Sequence, residues 1–196
     1  LTTTDPQGIV TRTETNAFGK PVRTVEDANG LSAEISYFYD NNLNLVAIAD
    51  DNGHTTRYTY DANNRLLETR YADGSAVGFT YHPDGALATR TDQTGVPVNY
   101  TYDGLGRLTR KDYPDGSFQS FGYDQMDRMT SADQQMSGHT TALTFAYNAL
   151  GDVTSHTQTV DGHSWTTGYQ YGYLTGRTTT IYPSGPHVVH ANDPLG

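Results

Sequence analysis

The chain has 196 residues and a formal charge of −10, with 17% charged and 11% aromatic residues. That aromatic content speaks against disorder, and the negative charge makes nucleic acid a poor partner. Cysteine is absent, which excludes disulfides and thiolate zinc sites, and no apolar run approaches the roughly 20 residues that cross a bilayer as a helix.

Threonine (30 residues), glycine (20) and tyrosine (15) dominate the composition. Thr and Tyr favour strands and Gly favours tight turns, so an all-β chain is expected. In chain order an aromatic-x-Tyr-Asp element recurs. A degraded copy, Thr13-Glu14-Thr15-Asn16, comes first, followed by Tyr37-Phe38-Tyr39-Asp40 and Tyr58-Thr59-Tyr60-Asp61. Phe79-Thr80-Tyr81-His82, Tyr100-Thr101-Tyr102-Asp103 and Phe121-Gly122-Tyr123-Asp124 come next. Phe145-Ala146-Tyr147-Asn148 and Tyr169-Gln170-Tyr171-Gly172 complete the series. The third positions are separated by 24, 21, 21, 21, 21, 24 and 24 residues, which identifies an internal repeat.

A glycine preceded by a turn former runs in step: Gly8, Gly30, Gly53, Gly74, Gly95, Gly116, Gly138, Gly162 and Gly185. It lies 7 or 9 residues before each marker position. A two-residue change preserves the side-chain alternation of a strand, whereas one residue would reverse every face. The variation therefore predicts hairpins that lengthen.

Each unit reads as two antiparallel strands and two turns. In Tyr102-Asp103-Gly104-Leu105-Gly106-Arg107-Leu108 a strand ends at Tyr102, Asp103 accepts backbone N–H bonds, and Gly106 takes a left-handed position. Its counterparts Gly19, Asn64, Gly85, Asp127 and Gly151 mostly tolerate positive φ. Leu43 does not, and is expected to be strained or differently built. A strand then runs from Leu108 to Tyr113, and Pro114-Asp115-Gly116 predicts a type I turn with a bulge. The two aromatics of each element share a strand face and are expected to stack into ladders with neighbouring hairpins.

Tyr102-Asp103-x-x-Gly106-Arg107-Leu108, then Pro114-Asp115-Gly116 and Phe121-x-Tyr123-Asp124, resembles the tyrosine–aspartate (YD) repeat of the Rhs family, which is similar to the shells of Tc toxins and to teneurins. Tyr60-Asp61 with Arg65-Leu66 and Tyr123-Asp124 with Arg128-Met129 match less fully, and Tyr39-Asp40, Tyr81, Tyr147 and Tyr171 mark the remaining copies. The resemblance implies tandem β-hairpins forming a curved or spiralling sheet, a segment of a hollow shell. Residues 1–196 would then be one array of about eight repeats, part of a longer one. The implied role is non-catalytic: encapsulating or scaffolding a toxin or effector domain encoded elsewhere in the parent protein. The implied partners are other repeats and an enclosed C-terminal toxin domain, and the implied setting is bacterial, secreted or at the cell surface. The alternative is a carbohydrate-binding or adhesion module that uses the aromatic ladders.

Little points to other chemistry. His54, His139 and His163 each follow the second-turn glycine and so share one repeat phase, as structural residues do. His187, His190 and Asp193 have a helical metal spacing, but two valines and Pro186 predict a strand there, which turns positions i and i+3 to opposite faces. No catalytic, metal-binding or cofactor residue is assigned. Sixteen strands spaced by about 4.8 Å would make a sheet on the order of 77 Å wide, with no second layer to cover it.

Overall fold

The structure is a computed structural model and describes residues 1–28, 31–173, 177–184 and 187–191. Two units divide the chain, Leu1–Pro97 and Val98–Gly196. The first holds β1 (Thr2–Thr4), β2 (Val10–Thr15), β3 (Pro21–Ala28), β4 (Leu31–Tyr39), β5 (Leu45–Asp50), β6 (Thr55–Tyr60), β7 (Leu66–Arg70), β8 (Ala76–Tyr81) and β9 (Leu87–Thr91). Each strand pairs antiparallel with the next. The second holds β10 (Pro97–Tyr102) from its second residue on, β11 (Leu108–Asp112), β12 (Phe118–Tyr123), β13 (Met129–Met136), β14 (His139–Tyr147), β15 (Val153–Val160), β16 (His163–Gly172), β17 (Arg177–Ile181) and β18 (His187–Ala191). It is a meander of the same kind. The chain is thus all-β and built of tandem antiparallel hairpins.

The turn after most marker residues closes on one side-chain oxygen of Asp or Asn. Asp103 Oδ1 accepts the N–H groups of Leu105 at 2.9 Å and Arg107 at 3.0 Å, while Asp103 N–H donates to the Arg107 carbonyl and Gly106 N–H to the Asp103 carbonyl, both at 3.0 Å. The degraded first copy folds the same way, with Asn16 Oδ1 accepting from Phe18 and Lys20 at 3.0 Å. Leu43 adopts the left-handed position at φ +63° and keeps the turn's backbone bonds. Of the two expected outcomes, strain is the one found, and for an L-residue it costs roughly 1–2 kcal/mol.

A bulge follows seven of these turns, whereas β16 and β17 pair without a shift. Tyr60 faces Leu66 and Thr59 faces Glu68, so Leu67 is extra. The same shift recurs where β2, β4, β8, β10, β12 and β14 meet their successors.

The second turn has two constructions. In the short hairpins, as at Tyr113–Ser117, Tyr113 N–H donates to Ser117 O at 3.0 Å and Gly116 N–H to Tyr113 O at 3.1 Å, the turn-plus-bulge that the sequence predicts. In the long hairpins Met136 faces His139 and Val160 faces His163. The two residues between have positive φ in both cases, 50° and 83° for Ser137 and Gly138, 48° and 84° for Asp161 and Gly162. That is a type I′ turn, whose twist suits a two-residue loop. Against β11 and β12, strands β13 and β14 each gain three residues and the loop between them loses three. This accounts for spacings of 24 in place of 21. The third long hairpin pairs Ala28 with Leu31, and its turn at Asn29-Gly30 lies outside the described residues.

Within each unit, strands pack on their sequence neighbours. Among the described residues the buried apolar side chains are Ala47 and Val77 alone. Cohesion must therefore come from what joins one repeat to the next.

Two glycines in one turn separate backbone from packing effects. A Cβ at Gly106 (φ +79°) or at Gly104 would meet nothing within 4 Å. Gly106→Ala should destabilise by about 1–2 kcal/mol through the left-handed backbone alone, while Gly104→Ala should be neutral or stabilise by about 0.4–1 kcal/mol. Urea unfolding followed by circular dichroism checks both.

Candidate functional site

The side chains that define the repeat meet between hairpins. Each second-turn hairpin pairs near its turn and opens towards the other end. The β7–β8 ladder, for example, runs from Arg70↔Ala76 to Glu68↔Gly78 and stops. Beyond it the Tyr81 hydroxyl donates to the Leu66 carbonyl at 2.8 Å. The same bond joins Tyr39 to Pro21 (2.9 Å), Tyr60 to Leu45 (2.8 Å), Tyr123 to Leu108 (3.0 Å), Tyr147 to Met129 (2.6 Å) and Tyr171 to Val153 (2.8 Å). Each acceptor lies on the strand that follows the preceding repeat's Asp turn, immediately before the bulge. Tyr102 is not free either. Burial raises the phenols of Tyr39, Tyr60 and Tyr171 above their ordinary value, so the donated proton stays in place well beyond neutral pH.

Arginine works in the opposite direction along the chain. Arg107 Nε donates to Asp103 Oδ2 at 2.8 Å within its own turn. Its Nη1 reaches the next repeat, donating to the Asp124 carbonyl at 2.9 Å and to Asp127 Oδ1 at 2.8 Å. The guanidinium lies over the Tyr123 ring, 4.9 Å from its centre. Arg128 repeats this with Asp124, the Asn148 carbonyl and the Tyr147 ring, and Arg65 with Asp61, the His82 carbonyl and the Tyr81 ring. Marker tyrosines 81, 123 and 147 are thus covered by an arginine, where sequence reasoning expected the next aromatic. Ring-to-ring contacts occur elsewhere, as in Phe145–His156 at 6.5 Å and His156–Tyr169 at 5.8 Å. The Arg177 side chain lies outside the described residues.

At two of the positions where arginine is missing, other polar groups bridge the turns. Asn44, in the arginine position after Asp40, donates through Nδ2 to Asn64 Oδ1 of the next turn at 2.7 Å. Asp152 holds that position after Asn148, and Tyr173 donates its hydroxyl to Asp152 Oδ2 at 2.6 Å while accepting from Asn148 Nδ2. Tyr173 stands outside the repeat phases, and nothing in its sequence position announces this role.

The carboxylates are tuned by these contacts. Asp103 and Asp124 sit below the usual carboxylate range, first because of the side-chain hydrogen bonds from Arg107 and Arg128. Asp61 is lowered first by the Arg65 backbone N–H, and Asp40 first by the Asn44 side chain.

The three same-phase histidines have different partners. His54 Nδ1 lies 2.8 Å from Asp50 in its own turn, His139 Nδ1 lies 2.8 Å from Asp161 of the neighbouring turn, and His163 stacks on Trp165. No cluster of three or more potential metal ligands occurs among the described residues. The side chains of His187, His190 and Asp193 lie outside them. The site is therefore a repeated lock: a hydroxyl reaching back, in three repeats a guanidinium reaching forward, and at most turns an Asp or Asn oxygen holding the turn.

Residues 39–76 and 81–117 match the RHS Repeat family. Those two stretches carry RHS repeats. Nothing among curated protein sequences matches the chain. Its fold is similar to a crystal structure of TcdB2-TccC3, with a TM-score of 0.72 at 15% identity over 94% of this chain and 12% of that one. A crystal structure of TcdB2-TccC3-Cdc42 gives 0.72 at 14% identity over 92% and 12%. The Tc holotoxin pore of Photorhabdus luminescens gives 0.68 at 15% identity over 92% and 11%. The chain thus spans about one-eighth of the length of the structures it resembles.

The RHS lock makes separable predictions. Tyr123→Phe strands the Leu108 carbonyl and should cost about 1–3 kcal/mol, whereas Tyr58→Phe, at the first aromatic position, should change the urea midpoint little. The lowered carboxyls make stability pH-dependent. They titrate near pH 3.9 in the unfolded chain and lower when folded, so their contribution is complete above the unfolded value and is lost as pH falls through the folded ones. Thermal unfolding should be level from about pH 7 to 5 and fall below about pH 4, with a shallower fall in the double variant Asp103→Asn, Asp124→Asn.

Proposed function

We propose that the chain is a wall segment of a longer RHS-repeat shell that encloses or scaffolds a toxin or effector domain encoded elsewhere in the parent protein. The observation that carries this reading is the destination of the repeat-defining side chains: their hydroxyl, guanidinium and carboxylate groups are used in joining one hairpin to the next. A sheet with almost no buried apolar side chains among its described residues, held by contacts between successive repeats, is suited to building extended surface. The likeness to TcdB2-TccC3 in fold supports the same role. In this reading the chain has no catalysis of its own, its partners are neighbouring repeats and the enclosed domain, and the parent protein is secreted or displayed by a bacterium.

Electron microscopy of the full-length parent protein tests the proposal. A hollow particle with density inside is expected, and a solid globule would overturn it. Modularity offers a second test. Deleting residues 61–81 removes one 21-residue period and leaves every remaining Tyr, Arg and Asp in phase. The shortened chain should keep its strand content by circular dichroism, whereas deleting residues 61–80 should abolish cooperative unfolding.

A further inference from the structure

Arg57 stands apart from the locking arginines. Its side chain is exposed on β6 and has no hydrogen bond, ion pair or ring partner among the described residues. Directly opposite it on β7 is Arg70, and like charges facing each other across strands are destabilising. Glu68 neutralises only Arg70, accepting from its Nε at 3.0 Å and its Nη2 at 3.1 Å. The trio keeps one uncompensated positive charge in a chain with 12 basic and 22 acidic residues.

Two hollows meet at Arg57. One, of about 580 Å³, lies beside the half-exposed Phe38 ring, where Ala47 and Ala49 leave room. Ala47 is the strand neighbour of both Phe38 and Arg57. The other, of about 300 Å³, is bounded by Arg70, Tyr71 and Thr55. An apolar recess thus adjoins a cationic one, with Arg57 and Thr55 common to both.

We propose that these hollows form one binding site for an extended polypeptide segment that carries a bulky apolar side chain and, two residues along, a carboxylate. Positions i and i+2 of an extended chain project to the same side, roughly 6.5 Å apart, which suits recesses on either side of one arginine. The apolar group would rest on Phe38 over Ala47 and Ala49. The carboxylate would accept from Arg57 and relieve its repulsion with Arg70. Charge complementarity selects the occupant: the site lacks one negative charge, and the hollow beside it lacks an apolar side chain.

The test uses the full chain and blocked peptides. Acetyl-Thr-Phe-Thr-Glu-Thr-amide should bind saturably by NMR titration, about tenfold more tightly than its Glu→Gln counterpart, as expected for a charge-assisted hydrogen bond. Arg57→Gln should abolish that difference while leaving the urea midpoint unchanged or raised, since it removes a like-charge pair. Absence of binding, equal binding of both peptides, or a lowered urea midpoint in R57Q would overturn the proposal. N-acetyl-phenylalanine binding as tightly as the Glu peptide would also overturn it, because the site would then recognise a small acid and not a chain.

Discussion

The hydrogen bond from a phenol to a main-chain carbonyl of the preceding repeat is the contact on which the array depends. Each second-turn hairpin is paired at its turn and open at its far end, because the bulge after the Asp turn shifts one strand out of register. An open ladder exposes carbonyls that no backbone N–H reaches, and an unsatisfied carbonyl is costly. The Tyr81 hydroxyl fills that gap at Leu66, and its equivalents do so along the chain. This explains the pattern within the aromatic-x-aromatic element. The first aromatic can be Phe, as at Phe79 and Phe121, because the bond that closes the hairpin comes from the second; where the first is Tyr169, its hydroxyl meets His156 instead. The second is Tyr in every copy after the first, because its hydroxyl closes the hairpin.

Arginine complements this bond in geometry as well as direction. Its planar fork binds the carboxylate of its own turn through one edge and the next turn's carbonyl through another, and its face covers the next tyrosine. A lysine ammonium has no such combination of planar face and multiple directed donors. With Ala47 and Val77 as the buried apolar residues among those described, repeated polar contacts take over much of the work that a hydrophobic core does in a layered domain. The Asn44–Asn64 bridge and the Tyr173–Asp152 bond supply a polar link between successive turns where arginine is missing.

A lock of this kind bears on what the repeats can do. Stacking platforms for sugars need open ring faces, and arginines cover those of Tyr81, Tyr123 and Tyr147. The groups of the motif are engaged with each other, which suits a wall. Arg57 differs because it breaks the local pairing rule without a structural return.

The sequence by itself determined the strand phases, the turn positions, the left-handed sites and the all-β class. These follow from local chemistry: side-chain alternation, Asp accepting from its own next residues, and Gly permitting positive φ. Even the strain at Leu43 was legible as one of two outcomes, because a β-carbon at a left-handed position is a local matter. Tertiary structure alone decided what lies over the tyrosines, where the hydroxyls point, and that Tyr173 substitutes for a missing arginine. Those contacts join residues 15 to 25 positions apart, and their register depends on a bulge that has no residue signature, since Leu67, Thr109 and Thr154 occupy it equally well. Local propensity fixes where a chain turns. Which side chains meet across the turn is settled only when neighbouring strands are in register.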